Sequence, residues 1–208
     1  MQTTSSRSDA LARLPLALAL CIALGSIGSC RGLLEVSSWN EPVALPLPAL
    51  RIPDDADEEW KRLAAAMTEL KEALVDTFRA RRPALSALAV VNLASSLVLL
   101  SGALAAAARL RRGIPVLHSG IALSQAYVAL GIVVGIWVQL GLAETTQSIL
   151  GPLRALDHPV AMQATLAVAQ YWFAIPIYVL GMVAQFLFYV WVNGLLKRPE
   201  IREALGSD

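Results

Sequence analysis

Hydrophobic and polar positions along this chain are gathered into long blocks. Residues 14–30, 83–108, 114–143 and 159–196 contain no Asp, Glu, Lys or Arg, and the charge lies between and around them. An uncharged apolar run of about 18 residues or more predicts a transmembrane helix, because ~20 residues at ~1.5 Å per residue cross a ~30 Å hydrocarbon core. The blocks therefore predict an all-α integral membrane protein with about four spans: one within residues 1–30, then 83–108, 114–142 and 160–196. The first is the shortest. Its 17 uncharged residues give only about 26 Å of helix, and it reads as a signal-anchor or a cleavable leader, which would leave three spans.

Two different patterns fill residues 31–82. Pro42, Pro46, Pro48 and Pro53 punctuate 31–53, and proline's fixed φ and missing donor predict an extended linker there. Residues 54–82 then show a helical period: Trp60, Leu63, Met67, Leu70, Leu74 and Phe78 recur at steps of three and four, one stripe on one face. Asp54 and Asp55 are candidate N-caps, and Arg79, Arg81 and Arg82 suit a helix C-terminus. Pro83 begins either a new helix or a kinked continuation. The stripe must be buried against its own chain, the bilayer surface, or a partner; the partner-surface reading takes it as the start of a short coiled coil.

Aromatic residues place the last span. Trp172 and Trp191 are nineteen steps apart, about 28 Å of helix, the separation of two interfacial aromatic belts. The hydrocarbon core then covers roughly 172–192, with 160–171 as an interfacial extension. Positive residues favour the cytoplasmic side. Arg109, Arg111 and Arg112, with Lys197, Arg198 and Arg202 of the tail 197–208, therefore lie inside. The 143–159 loop, with Arg154 as its one Arg or Lys, lies outside, together with 31–82. Arg79, Arg81 and Arg82 equal the 109–112 turn in number, so the second span is undecided taken alone.

Composition sharpens this picture. Of 208 residues 56% are hydrophobic and 16% charged, against roughly a quarter charged in soluble domains. The net charge of +1 carries no polybasic tract and gives no reason to expect nucleic acid as a partner. Fourteen arginines against three lysines read as a GC-rich coding bias, pointing to a bacterial inner membrane. Both cysteines, Cys21 and Cys30, fall in the first segment, so a disulfide framework is not expected. Ile27-Gly28-Ser29-Cys30, after Arg7, Arg13 and an apolar run, resembles a bacterial lipoprotein lipobox. That resemblance implies removal of residues 1–29 and diacylglyceryl attachment on Cys30; a retained first helix satisfies the same topology.

Candidate chemistry is sparse. Gln125 and Gln139 share a face with His118 at seven-residue steps, and Gln170 and Gln185 share one with Gln163 and Tyr178. Such amides serve as interhelical hydrogen-bonding groups, or else as the lining of a substrate path. Gly131 and Gly135 form a GxxxG motif suited to close helix packing. No zinc-protease, CxxC, phosphate-loop or nucleophile-elbow motif occurs, so no catalytic, metal or cofactor residue is assigned. The expected function is that of a non-catalytic membrane subunit or assembly factor, with the lipid bilayer and a second copy or another membrane protein as partners. A small transporter or channel subunit is the alternative, and a lipid-headgroup enzyme relying on His118 is the third reading.

Overall fold

The computed structural model describes residues 4–37, 57–110 and 112–204, and every regular element among them is helical. These are α1 (Thr4–Ser37), α2 (Glu58–Ala107), α3 (Gly113–Leu150), a 3₁₀ turn (Gly151–Ala155), α4 (Pro159–Leu196) and α5 (Pro199–Ala204). The helices α1 to α4 are each long and apolar enough to cross a membrane. Most of the expected proline-rich linker, 38–53, lies outside the described residues, as do Asp54 and Asp55.

The stripe-bearing segment and the second span form one helix. α2 runs for 50 residues with Pro83 inside it. Proline removes one intrahelical bond and crowds the carbonyl four residues back, and here the helix continues regardless. α3 likewise runs past the charge boundary at Glu144 to Leu150. The hydroxyls in that last stretch turn back onto their own helix: Thr145 donates to the Gly141 carbonyl at 2.7 Å and Thr146 to that of Leu142 at 2.8 Å. Gly151-Pro152 ends α3, and Pro159 opens α4 at a position where its missing N–H removes no helical bond.

The chain packs as two units, with α2, α3 and α4 contributing to both. The first unit comprises α1, the later part of α2, the start of α3, the end of α4, and α5. Its helices meet through small residues. A Cβ at Gly25 would lie 2.9 Å from that of Leu100, and one at Gly32 2.9 Å from that of Leu93, so α1 and α2 touch almost backbone to backbone. Between them Asn92 donates from Nδ2 to the Gly28 carbonyl at 3.4 Å, and Ser96 donates to Asn92 Oδ1 at 3.3 Å. On the other side of α2, a Cβ at Gly102 would come within 2.5 Å of the Leu117 nitrogen, and one at Gly120 within 2.6 Å of the Leu99 Cα. Leu14, Ala17, Leu18 and Cys21 bury α1's inner face, and Val192, Leu196 and Ile201 bury the far end of the chain.

The turn from α2 to α3 is tight. Arg109 adopts φ 53°, in the left-handed region. The Leu110 N–H donates to the Ala105 carbonyl and the Arg109 N–H to that of Ala106. This pair of bonds is a Schellman cap, with arginine where glycine is usual.

The second unit comprises the first part of α2, the end of α3, the 3₁₀ turn and the first part of α4. Its core is Leu63, Leu70 and Leu74 from α2, Val138, Leu142 and Leu150 from α3, and Val160, Ala164, Ala167 and Val168 from α4. Trp60, Met67 and Tyr171 pack around it.

Candidate functional site

The stripe on α2 is occupied within the chain. Leu63, Leu70 and Leu74 are 1%, 1% and 0% exposed, in contact with α3 and α4. Trp60 and Met67 pack on that core, and Phe78 is half-buried. What α2 turns outward over the same stretch is mostly polar: Glu58, Lys61, Arg62, Thr68, Glu69, Lys71, Glu72, Asp76 and Arg79 are exposed, with Ala65 and Ala80 among them. Of the GxxxG pair, Gly131 is buried, and a side chain on Gly135 would collide with the Tyr178 ring of α4.

The glutamines do not act as one set. Gln185 donates from Nε2 to Tyr189 Oη on its own helix at 3.1 Å, while Gln163 and Gln170 are exposed and Gln125 and Gln139 half-buried. In the first unit, two asparagines make cross-helix bonds: Asn92 as above, and Asn193, whose Oδ1 accepts from His118 Nδ1 at 3.1 Å. An amide on a shorter side chain loses less rotamer freedom when it is fixed between closely packed helices. Cys30 is exposed on α1, which continues unbroken through Ile27-Gly28-Ser29-Cys30 to Ser37.

At the tip of the second unit, two helix N-termini are tied together. Asp57 Oδ1 accepts from the N–H groups of Glu59 and Trp60 at 3.1 and 3.2 Å, so it caps α2. His158 Nδ1 accepts from the Val160 N–H at 3.3 Å at the start of α4. That leaves the proton on His158 Nε2, which donates to Asp57 Oδ2 at 3.0 Å. The Trp60 ring stands edge-on to the imidazole, 6.0 Å between centroids at 78°. The Trp60 N–H above all holds the Asp57 carboxyl below the usual carboxylate range; desolvation, next in size, opposes it, and His158 and the Glu59 N–H add to the lowering.

A second polar feature of this unit lies at the charge boundary of α2. Arg81 donates from Nη1 to the Thr77 carbonyl at 3.1 Å, and its guanidinium carbon stands 4.8 Å from the centroid of the Trp137 ring. Nε is buried with no acceptor. A side chain at position 141 would run into the guanidinium, so Gly141 is what admits it. Thr77 and Thr145 share a hydrogen bond of 3.1 Å nearby in sequence, and Trp172 Nε1 donates to Gln147 Oε1 at 3.1 Å. From the sequence, Arg81 complements a helix end and counts among the charges that bear on topology, and neither role marks a site. Its signal was a glycine and a tryptophan four residues apart on another helix, meaningless until the fold brings them to the arginine.

Among the described residues, no group of three or more His, Cys, Asp or Glu side chains is placed to hold a metal. No family model, curated protein or solved structure matches the chain.

Proposed function

We propose that this chain is a non-catalytic, multi-pass component of a cell membrane, the bacterial inner membrane by its excess of arginine over lysine, acting as a subunit or assembly factor. The observation that carries this reading is the division of its exposed surface. α4 turns Phe173, Ile177 and Leu180 outward, each about 70% exposed, a surface suited to lipid. The first part of α2 turns outward a mixed-sign charged face on a helix whose Leu63, Leu70 and Leu74 are packed inward. A rigid charged helix face of this kind provides selectivity for a protein partner rather than a reaction centre. The partner surface thus passes from the buried stripe to the outer positions Glu69, Glu72 and Asp76.

Alkaline carbonate treatment of membranes tests the first half of this reading: the chain stays with the pellet, and release into the supernatant would sink it. Photo-crosslinking side chains at Glu69, Glu72 and Asp76 test the second. Discrete protein adducts are expected there, and lipid adducts at Ile177. Adducts to lipid alone at all four positions would remove the partner reading.

A further inference from the structure

The positive charge of Arg81 is not balanced by a carboxylate at its own site. A guanidinium offers five donors in a fixed fork. Here Thr77 accepts one and the Trp137 ring takes a face; Nε is closed off from solvent, so a further partner meets the terminal nitrogens. No described carboxylate pairs with it. A charge drawn onto an apolar helix surface is stable only when it is compensated, and the missing partner is an anion.

The surroundings select the kind of anion. Arg81 belongs to the last charged cluster of α2 before 26 uncharged residues, so it stands at the level where an apolar span meets water. Trp137, 48% exposed, is a typical interfacial residue. Val133, 68% exposed, lies one turn further along α3 into the uncharged run, on the same face as Trp137. Going the other way, Glu144 is one turn beyond Gly141 and exposed. Along one strip of α3 there follow an exposed apolar side chain, an aromatic ring with a guanidinium against it, and a carboxylate. A glycerophospholipid with an amine in its headgroup has the same order: acyl chain, phosphate, ammonium.

We propose that Arg81, Trp137, Gly141 and Glu144 bind one aminophospholipid, phosphate on the guanidinium, ammonium toward Glu144 and an acyl chain along Trp137 and Val133. This rests on the chain being membrane-embedded, which carbonate extraction tests separately. Gly141 leaves the space in which the guanidinium lies, and planar pairing to two phosphate oxygens explains arginine rather than lysine.

Native mass spectrometry of the detergent-purified full chain, given equal amounts of phosphatidylethanolamine and phosphatidylglycerol, tests the proposal. Wild type is expected to retain one phosphatidylethanolamine in preference to phosphatidylglycerol. Arg81→Gln should lower that retention about tenfold or more, and Arg81→Lys by less. Glu144→Gln, at an exposed position that does not threaten folding, should abolish the headgroup preference while leaving phospholipid bound. Bromine-labelled acyl chains should quench wild-type fluorescence more than that of Trp137→Phe. Equal retention by wild type, Arg81→Gln and Glu144→Gln would overturn the proposal. Displacement of the lipid by inorganic phosphate at equal concentration would overturn the lipid source, leaving a soluble oxyanion as the ligand.

Discussion

Single residues here bear constraints that their types do not advertise. Arg109 holds a left-handed backbone, and every non-glycine residue in that region is strained by its Cβ. Arg109→Gly should therefore stabilise the protein by about 1 kcal/mol, seen as a higher melting temperature in detergent. A fall in melting temperature would mean that the guanidinium, not the backbone, is what the turn depends on. Asp57 shows the opposite case, a residue well matched to its place. Its carboxyl is held below its ordinary pKa, so its contribution is complete above about pH 4, the unfolded value. It is lost as pH falls through the folded value. Melting temperatures between pH 7 and pH 2.5 should drop over that interval in wild type and less in Asp57→Asn, which keeps a capping oxygen but does not titrate. The sequence placed the α2 cap at Asp54 or Asp55; the structure gives the capping bonds to Asp57, and boundary positions are where local pattern discriminates least.

At the scale of elements, the long helices were legible because a charge-free apolar run of about 20 residues or more is what a bilayer crossing requires and what a soluble core helix seldom needs. The merger of 54–82 with 83–108 was one of two readings left open, because proline also reads as a helix start and its cost inside a helix is set by surroundings that pattern does not report. The α2 stripe was legible as a face, with Leu63, Leu70 and Leu74 all inward, but periodicity names a face without naming what covers it. Leu70→Ala should cost about 2–5 kcal/mol through the cavity it leaves, measured as lost thermal stability. A change under about 0.5 kcal/mol would contradict the packing. The α1–α2 seam is more sensitive to bulk. Gly28 faces Ser96 and Asn92 with no space for a side chain, so Gly28→Leu should undock α1. Alkylation of Cys21, buried in the wild type, should then rise several-fold; unchanged protection would show that the seam tolerates bulk. An intact mass that includes residues 1–29 would establish a retained first helix, and one that starts at Cys30 with a diacylglyceryl adduct would establish the lipoprotein.

For the whole molecule, the topology drawn from charge asymmetry makes a direct prediction. With Cys30 replaced by Ala, a cysteine at Ser148 should react with a membrane-impermeant thiol reagent added to intact cells. One at Glu203 should react only after permeabilisation. Reversal of both would invert the orientation, and the Arg79–Arg82 cluster would then be the one that stays inside. Both positions are exposed in the folded chain, so accessibility reports the bilayer and not burial. Nothing in the amino-acid sequence revealed the Arg81 site. It unites α2 and α3 residues more than fifty positions apart, and such pairings are a property of the fold.

The close seam between α2 and α3 has a consequence for biogenesis. Only Ala108 to Arg112 separate the two helices, and the backbones meet at Gly102, Gly113 and Gly120. A nascent chain emerging from the ribosome completes this pair before α4 exists. Co-translational insertion would then deliver the two helices as a hairpin already in register, a template in place before α4 is made.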